Sequence, residues 1–491
     1  MEPSRLKILF VSVEVAPYAK VGGLADVASS LPKALAGRGH DVRIVTPAYG
    51  MILADERFNR TRVLKSVSVR PNRWSEFSAT VDVIDHSGVP LYLIGGHEGF
   101  AEATKSDLVY TPGIEKYVFF TEAVLQIERE LGWSPDIVHC NDWHTGFLPV
   151  LMREKYSHEC RKTASVFTIH NFAYQGEFGT EILDSFGLHH SLYNPCDVEA
   201  WGRVNFLKSG CVFADRVNTV SRRYAEEIQT AQYGCALEGL MQHLRLEGRL
   251  SGILNGIDTT VFDPMTDPQL PAHFSAAKPQ GKAACRHALL QRVGLPEDAS
   301  TPVLGVVSRL SDQKGLDLLV EAIPELAKLP VQVVVQGLGD PWLVGSLREL
   351  EGKHPHHVRF IEAFDESSAQ LIYGGSDFFA MPSRFEPCGL GQMIALRYGT
   401  IPVVRKTGGL ADTIFEGQNG FVFQEATSAE LFAAVARARQ AFLDKKLWRQ
   451  YVNAALTADF GWGASARQYE ELYKQAIDAR EKSAIPQDEA V

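Results

Sequence analysis

One carboxylate, Glu386, lies at the tip of a turn that follows a short apolar strand. The run 377–383 (DFFAMPS) is typical of a buried parallel strand, and Pro387 and Gly389 shape the turn after it. The next residues, LGQMIALRYG, predict a helix that ends at Gly399. Glu386 would then leave the carboxyl end of a strand beside the amides of a helix N-terminus, where open α/β sheets bind ligands and phosphates. A solvated surface glutamate is the plain alternative.

Two cations, Arg309 and Lys314, follow another predicted strand. They occur in SRLSDQKG, a turn bounded by glycine after the strand at 303–310. Cations at this spacing suit a diphosphate, although a solvated basic loop would look the same. The sequence holds no D-x-D tripeptide that could fix a divalent metal against a nucleotide diphosphate. We therefore expect these side chains to replace such a metal.

A lysine and paired glycines follow the first predicted strand, and the motif occurs twice. KVGGLAD at 20–26 places Lys20 before Gly22 and Gly23, and KTGGLAD recurs at 406–412. Paired glycines allow a phosphate or sugar to approach the backbone, and the helix N-terminus adds positive potential. Two glycines alone are mostly a plain turn. The repetition favours two half-sites that face one cleft.

Histidines and a carboxylate end two strands in the first half of the chain. Asp142 and His144 lie in HCNDWHTG, and His170 lies in TIHNFAYQG. These groups could act as acid–base catalysts, sugar ligands or metal ligands. Trp143 and Tyr174 beside them could stack on sugar rings, which favours carbohydrate binding. The histidines do not share a helix face at ligand spacing, so a metal site is disfavoured.

The composition excludes several classes of protein. A length of 491 residues with 45% hydrophobic and 22% charged residues predicts two or three globular domains. The net charge of −10 argues against nucleic acid as the main partner. The seven cysteines lack C-x-x-C spacing, which disfavours a disulfide framework and a zinc site. We expect a cytoplasmic protein with no signal region and no membrane span.

Two series of strands must position these groups. Apolar strands alternate with helical patterns, which predicts an α/β fold with two doubly wound parallel sheets. The first series is predicted at 7–15, 41–49, 89–96, 136–142, 165–171, 215–221 and 250–256. The second series is predicted at 303–310, 331–339, 358–364, 377–383, 401–407 and 420–423.

The two series are separated by a segment rich in proline and polar residues. We predict an N-terminal Rossmann-like domain over 1–262, a linker over 263–282 and a second Rossmann-like domain over 283–460. A helix over 461–482 is expected to pack back on the first domain, and 483–491 to be disordered. Two such domains should leave a ligand-binding cleft between their facing strand ends.

Six motifs, taken in order, closely resemble one enzyme family. KVGGLADV, HNFAYQG, NGID, SRLSDQKG, GLGDPW and SRFEPCGL are similar to motifs of the glycogen and starch synthases of glycosyltransferase family five. The resemblance spans roughly residues 5–475. It implies GT-B architecture, with two Rossmann-like domains around a deep cleft. It also implies transfer of glucose from ADP-glucose, with retention and without metal or cofactor, to the non-reducing end of an α-1,4-glucan such as glycogen.

The resemblance also assigns roles to the residues that match its motifs. Glu386 would be the catalytic-site glutamate that holds the sugar and stabilises positive charge on it. Arg309 and Lys314 would neutralise the departing diphosphate. The remaining assignments are phosphate contacts from Lys20, Gly23 and the amides of Leu390 and Gly391, a glucose pocket lined by Asp142, His170 and Asn255 with Glu14 nearby, and adenine stacking on Phe364.

Two retaining routes are compatible with the resemblance. A double displacement needs a nucleophile on the opposite face of the sugar, for which Asp142 and His170 are the candidates. In the front-face route the leaving phosphate accepts the proton of the acceptor. The sequence departs from the wider pattern at Ile394, where a second glutamate is usual, at Gly391, where Thr or Ser is common, and at Pro112-Gly113.

Two alternative functions fit the same motifs. A GT-B enzyme could use UDP-glucose or a small acceptor, and a glucan-binding scaffold could carry a decayed site. Lys20, Arg309, Lys314 and Glu386 are all present, whereas decay should have removed at least one of them. An ADP-glucose-dependent synthase is therefore the leading hypothesis.

Overall fold

The computed structural model describes residues 5–484, and within this range the chain forms two compact α/β units. Unit 1 comprises residues 5–256 together with 462–484, and unit 2 comprises 257–461. The prediction of two doubly wound α/β sheets is confirmed. The last helix continues to Ala484, and the rest of the tail predicted at 483–491 lies outside the described residues.

Unit 1 contains one large sheet and one small sheet. Its strands are β1 (Lys7–Val11), β2 (Asp41–Pro47), β3 (Thr61–Asn72), β4 (Ser75–His86), β5 (Val89–Gly95), β6 (Ile137–Asn141), β7 (Ala164–Ile169), β8 (Glu177–Phe178), β9 (Glu199–Ala200), β10 (Arg203–Asn205), β11 (Arg216–Thr219) and β12 (Leu250–Gly252). In the described residues, the large sheet has the order β12-β11-β7-β6-β1-β2-β5-β4-β3. It is parallel except at β5-β4-β3, whereas the small sheet β8-β10-β9 is antiparallel.

Unit 2 contains a fully parallel sheet. Its strands are β13 (Val303–Val307), β14 (Gln332–Gln336), β15 (Val358–Ile361), β16 (Phe378–Met381), β17 (Ile401–Arg405) and β18 (Phe421–Phe423). The described strands have the order β15-β14-β13-β16-β17-β18. Each is short and largely buried, as expected for a sheet that is covered by helices on both faces.

Helices connect the strands in both units. In chain order they are α1 (Gly23–Ala36), α2 (Gly50–Ala54), α3 (Glu98–Ala101), α4 (Glu115–Glu130), α5 (Phe147–Glu154), α6 (Glu181–Phe186), α7 (Phe206–Phe213), α8 (Arg222–Glu227), α9 (Glu238–Leu246), α10 (Gly281–Val293), α11 (Leu316–Lys328), α12 (Pro341–Lys353), α13 (Glu366–Gly375), α14 (Gly391–Arg397), α15 (Gly408–Thr413), α16 (Ser428–Leu443), α17 (Lys445–Thr457) and α18 (Trp462–Ala484).

Helix α18 belongs to unit 1 although it follows unit 2 in the chain. Its Tyr469 and Tyr473 are fully buried in the core of unit 1. The Tyr473 hydroxyl lies 2.8 Å from Nδ1 of His139 on β6. Glu470 on the same helix accepts two bonds from Arg38, at 2.6 and 2.7 Å. The helix therefore completes the core of a unit whose other residues end at 256.

The segment 263–282, predicted as a linker, is part of unit 2 in the structure. Leu270 and Phe274 are buried, and Asp267 accepts a hydrogen bond of 2.5 Å from the hydroxyl of Tyr398. The unit boundary lies at 256/257, six residues before the predicted end of the first domain at 262. Proline-rich composition indicates irregular backbone, but these buried apolar and acidic side chains fix the segment onto the unit.

Each parallel sheet has a point at which the strand order reverses. In unit 1 the strands β1 and β6 are parallel neighbours, but the strands that follow β1 in the chain are added on one side of this pair and those that follow β6 on the other. In unit 2 the parallel neighbours β13 and β16 have the same arrangement. Loops that leave such neighbouring strands diverge and leave a crevice at the carboxyl ends. The loops after these four strands carry Glu14, Lys20 and Asp142 in unit 1 and Arg309, Lys314 and Glu386 in unit 2, whereas His170, Asn255 and Phe364 follow other strands.

Candidate functional site

Glu386 lies in the turn after β16, at the switch point of unit 2. Its carboxylate is buried and accepts 2.7 and 2.9 Å hydrogen bonds from the ammonium of Lys314. The hydroxyl of Ser383 donates a further bond of 2.9 Å to Oε2. Lys314 lies in a short 3₁₀ turn after β13, so the two strands at the switch point supply the two ends of this ion pair.

The turn that carries Glu386 is fixed by neighbouring segments. Arg384 forms a bidentate ion pair with Asp317 at the start of α11, at 2.6 and 2.7 Å. The carbonyl of Glu386 accepts a bond of 3.0 Å from the amide of Gly409. A Cβ at Gly408 would lie 1.9 Å from that same carbonyl oxygen, so a side chain there would displace the turn. The backbone around the carboxylate is therefore rigidly held.

The other candidate residues of unit 2 differ in exposure and in their contacts. Arg309 is exposed after β13, and among residues 5–484 its guanidinium has no hydrogen-bond partner. Leu390 caps α14 and Gly391 begins it, so their amides belong to the first turn, where helical N–H groups lack helical acceptors. Phe364 follows β15 and its ring is 74% exposed.

The structure explains one departure from the family pattern and locates two others. A Cβ at Gly391 would lie 3.1 Å from a ring carbon of Phe379, so the small residue matches a tight contact beneath the helix. Ile394 is buried among the side chains of α14. Pro112-Gly113 lies in the loop before α4, where Gly113 has a φ of 118°.

In unit 1, the carboxylate of Glu14 holds the first glycine-rich loop. One oxygen, Oε2, accepts bonds from the amides of Val21 and Gly22, at 2.7 and 2.8 Å. The other oxygen accepts a bond from the hydroxyl of Tyr110. Burial raises the pKa of Glu14, although these three donors oppose the shift. Glu14 therefore positions the loop, a role that the sequence did not indicate.

The two copies of the GGLAD motif both begin a helix but differ in what surrounds them. In unit 1, Lys20 forms an ion pair of 2.7 Å with Asp26, and α1 begins at Gly23. A Cβ at Gly22 would meet no described atom within 4 Å. In unit 2, Cβ atoms at Gly408 and Gly409 would collide with the turn of Glu386. The second pair of glycines is thus explained by packing, whereas Gly22 of the first pair borders open space.

Asp142 and His170 are brought together at the ends of β6 and β7. The backbone of Asp142 has a φ of 57°, in the left-handed region that a non-glycine residue rarely adopts. Its Oδ1 accepts a 2.7 Å bond from the amide of His170. Burial raises the pKa of Asp142 to about 7. Strain and a perturbed carboxyl pKa in one residue are typical of functional positions.

The imidazole of His170 is neutral and its tautomer is defined. Burial lowers its pKa to about 3. Asn141 donates through its amide nitrogen to the carbonyls of Val11 and His139, so its Oδ1 is the acceptor that faces Nε2 of His170 at 2.9 Å. Nε2 therefore carries the proton and Nδ1 carries the lone pair.

Among the buried polar atoms of unit 1 that have no hydrogen-bond partner in the described residues, two belong to candidate residues. They are Oδ1 of Asn255, after β12, and Nδ1 of His144. The ring of His144 stacks on Trp143 and on Tyr110, with centroids 3.9 and 4.9 Å apart. Buried polar atoms are nearly always satisfied, so orphaned ones indicate a ligand or ordered water.

Four residues of the site escaped the sequence analysis as site residues. Ser383 and Asp26 lie within the motifs themselves, as the S of SRFEPCGL and the D of GGLAD, so motif membership could have indicated them. Tyr110 contacts Glu14 across 96 residues, and Asn141 acts on His170 across 29 residues. No local spacing signals such contacts.

The part of the chain that the structure describes contains neither a cluster of metal-binding side chains nor a membrane-spanning helix. No group of three His, Cys, Asp or Glu side chains in residues 5–484 is arranged to hold a metal ion. None of the helices in this range is both long and apolar enough to span a bilayer.

Comparisons with known proteins agree along the whole length of the chain. The model of the starch synthase catalytic domain matches residues 7–243, and that of glycosyl transferases group 1 matches residues 301–440. A glycogen synthase of Desulforudis audaxviator is 42% identical, with 96% of this chain and 97% of that protein covered. Glycogen synthase 1 of Methylococcus capsulatus is 41% identical, with the same two coverages.

Solved structures give the same result. The catalytic domain of starch synthase IV from Arabidopsis thaliana, bound to ADP and acarbose, matches with a TM-score of 0.89 and 36% identity, covering 97% of this chain and 100% of that one. A sucrose-phosphate synthase from Thermosynechococcus elongatus matches with a TM-score of 0.61 at 20% identity, which shows the fold alone. The chain therefore belongs to the glycogen and starch synthase family of glycosyltransferases, enzymes built from two Rossmann-like GT-B domains.

Proposed function

We propose that this protein transfers glucose from ADP-glucose to the non-reducing end of an α-1,4-glucan, with retention of configuration. The observation that carries the proposal is the buried Lys314–Glu386 ion pair at the switch point of unit 2, in a chain about 40% identical to glycogen synthases along nearly its whole length. The ADP bound to the similar starch synthase supports the choice of donor.

The residues of unit 2 would act on the diphosphate and on the sugar charge. As the glycosidic bond breaks, the leaving ADP gains negative charge and the sugar becomes oxocarbenium-like. Lys314 and Arg309 would stabilise the diphosphate, with the first-turn amides at Leu390 and Gly391. Glu386 would hold the glucosyl group and stabilise its positive charge. The exposed ring of Phe364 is available to stack on adenine.

The residues of unit 1 would bind the sugar and a phosphate. Asp142 can accept a hydrogen bond from a glucose hydroxyl when it is ionised, and Nδ1 of His170 carries a lone pair for another. The orphaned Oδ1 of Asn255 is a third acceptor. Lys20 and the amide of Gly23 would contact the phosphate, while Glu14 keeps their loop in place.

We favour the front-face route for the retaining step. Oδ1 of Asp142 is already occupied by the amide of His170, and a carboxyl group with a pKa near 7 is partly protonated at neutral pH. His170 supplies a neutral imidazole. These states suit hydrogen bonding to the sugar better than formation of a glucosyl–enzyme bond. We further propose that the reaction is independent of divalent metal and takes place in the cytoplasm.

The direct test is incorporation of radiolabelled glucose into glycogen from ADP-glucose and, in parallel, from UDP-glucose, with EDTA present. We expect transfer from ADP-glucose that EDTA does not change, and α-1,4 linkages in the product by NMR. Transfer from UDP-glucose alone would overturn the proposed donor. No transfer from either donor would overturn the proposed enzyme activity and leave a glucan-binding protein or a small-acceptor enzyme.

A further inference from the structure

The most unusual exposed side chain of unit 1 is Trp201, which has no role in the assignments above. It occupies the first position of the two-residue connection between β9 and β10, with Gly202 at the second. Trp201 has a φ of 55° and Gly202 a φ of 79°. Such a pair of positive φ angles defines the type I′ hairpin turn, in which Asn, Asp or Gly is strongly preferred at the first position.

The backbone of Trp201 is strained, and burial of its side chain does not compensate. A bulky aromatic residue at positive φ costs about 1–3 kcal/mol. The indole is nevertheless 75% exposed. A hairpin that needs only to turn would be more stable with asparagine. Strain of this kind is concentrated at functional positions, so the indole itself is the feature to explain.

The indole is held in one orientation. Its Nε1 donates a 3.0 Å hydrogen bond to the carbonyl of Ala236. The neighbouring carbonyl, of Cys235, accepts a 2.9 Å bond from the side chain of Gln175. Both Cys235 and Ala236 also have positive φ, so three of the six non-glycine residues with positive φ in residues 5–484 meet in this cluster.

The cluster is continuous with the loop that carries the proposed sugar ligands. Gln175 follows β7 five residues after His170, and its Oε1 accepts a 2.6 Å bond from Asn205 on β10. Tyr174, beside Gln175, is 53% exposed. One surface thus combines a fixed indole, a second exposed ring and the half-buried amide of Gln175, and aromatic rings with a few polar groups are typical of ligand-binding surfaces.

We propose that Trp201 is a binding platform for the α-1,4-glucan acceptor, with its indole face stacked on a pyranose ring. This inference rests on the proposed function, because it takes the acceptor from it. The C–H face of a pyranose is apolar, while the hydroxyl groups at its rim form hydrogen bonds with polar groups such as the amide of Gln175. Because the Nε1 bond fixes the ring plane before binding, little rotational freedom is lost when the glucan stacks.

Trp74 offers a matched control within the same unit. It also lies in a two-residue connection of a β-hairpin, between β3 and β4, and it is 81% exposed. It is not among the described residues with positive φ, and the guanidinium of Arg73 lies 4.6 Å from the centroid of its ring. If any exposed tryptophan bound glucan, Trp74 would serve as well as Trp201.

The test compares Trp201→Asn, Trp201→Phe and Trp74→Asn in the full-length chain, by electrophoresis through native gels that contain glycogen. Asparagine removes the ring but suits the turn, so we expect Trp201→Asn to keep or raise the melting temperature while glycogen affinity falls about tenfold. The glycogen affinity of Trp201→Phe should lie within about threefold of the wild-type affinity, and that of Trp74→Asn should equal the wild-type affinity. In the transfer assay, KM for glycogen should rise while KM for ADP-glucose is unchanged.

Two results would overturn the platform. One is equal glycogen affinity of Trp201→Asn and Trp74→Asn. The other is a loss in Trp201→Phe as large as that in Trp201→Asn, since the aromatic face would then be irrelevant. Gel retention needs no donor and no turnover. A wild type that binds glycogen through Trp201 but transfers no glucose would therefore refute the proposed activity and not the platform.

Discussion

The ammonium of Lys314 lies 2.7 Å from Oε2 of Glu386, and both side chains are largely buried, with exposed fractions of 18% and 6%. Removal of one partner of such a pair leaves an uncompensated buried charge, which destabilises a protein strongly. Substitutions at either position therefore change folding as well as chemistry, and conservative variants are needed to separate the two effects.

Glu386→Gln should abolish most of the activity with a smaller loss of stability than Glu386→Ala would cause. Glutamine keeps an oxygen for Lys314 and Ser383 but carries no negative charge for the sugar cation. We expect turnover to fall by about 10²–10³-fold, as for removal of other preorganised electrostatic groups, with glycogen retention in gels unchanged. Glu325→Gln, in the exposed pair with Lys328, is the control and should behave as wild type. Unimpaired turnover in Glu386→Gln would contradict the assigned role.

Lys314→Met should reduce transfer far more than glucan binding. Methionine keeps much of the apolar stem but removes the charge that is proposed to neutralise the diphosphate. We expect weaker ADP binding by calorimetry and a loss of about 10²-fold or more in turnover, together with a lower melting temperature because Glu386 is left unpaired. Lys328→Met, on the surface of α11, controls for loss of a lysine. Parallel losses of ADP and glycogen affinity would argue for a general structural role instead.

Glu14→Ala should loosen the loop that contains Lys20. The two amides that Oε2 now accepts would lose their partner, and each lost bond to a charged group costs about 1.5–3 kcal/mol. We expect faster hydrogen exchange at Val21 and Gly22 and a KM for ADP-glucose raised at least tenfold. Tyr110→Phe removes only the bond to the other oxygen and should leave exchange at these two amides slow. Unchanged exchange in Glu14→Ala would show that the loop is held by other contacts.

Asp142 should give the enzyme a pH dependence near neutrality. Its pKa of about 7 means that the carboxylate becomes available as an acceptor for glucose as the pH rises through that value. The kcat/KM for ADP-glucose, which reports the free enzyme, should therefore rise between pH 6 and 8. Asparagine can keep the Oδ1 bond to His170 but cannot ionise, so Asp142→Asn should lower kcat/KM and flatten the profile. If the kcat/KM profile of Asp142→Asn still had an inflection near pH 7, that inflection would belong to the titration of another group.

His139 should make unit 1 sensitive to acid. Burial lowers its pKa to about 3, so the folded state stays neutral while the unfolded chain takes up a proton below about pH 6.5. The unfolded state then binds more protons, and stability falls with decreasing pH by about 1.4 kcal/mol per unit until the folded pKa is reached.

The check is hydrogen exchange of β6 at pH 7 and pH 5 in the wild type and in His139→Gln. Glutamine can form hydrogen bonds with Tyr473 and Thr168 but does not titrate. The difference in the opening free energy of β6 between pH 7 and pH 5 should therefore be smaller in this variant. His356→Gln, at an exposed position, is the control. Asp142 contributes with the opposite sign, because its raised pKa favours the folded state at low pH. If this free-energy difference in His139→Gln were as large as in the wild type, His139 would be excluded as the source of the acid sensitivity.

The sequence predicted the two sheets because their strands are short, apolar and regularly spaced by helices. It did not predict the hairpin of β3 and β4, of which the edge strand β3 is mostly exposed, with only a few buried residues such as Val67 and Val69. Edge strands of this kind lack the continuous apolar pattern of the central strands. The segment 263–282, predicted as a linker, differs from that prediction for the converse reason, because sparse apolar residues such as Leu270 and Phe274 are buried.

For the site, motif resemblance named the candidate side chains but not their partners. Lys314 and Glu386 are 72 residues apart, and nothing in either motif indicates that they form an ion pair. Both lysine and glutamate were assigned to the substrate, whereas in the structure each is the other's partner. The role of Glu14 depends likewise on backbone amides and on Tyr110, which only the fold brings together.

The split composition of unit 1 has a consequence for how the protein is made. A ribosome completes all of residues 257–461 before it adds α18, so unit 2 has its entire sequence available first, although it is encoded second. Until Tyr469 and Tyr473 arrive, the nascent sheet leaves the buried polar groups His139 and Asn218 without two of their partners. Completion of unit 1 is thereby coupled to synthesis of α18, and a chain that stops before residue 462 would contain no finished first unit.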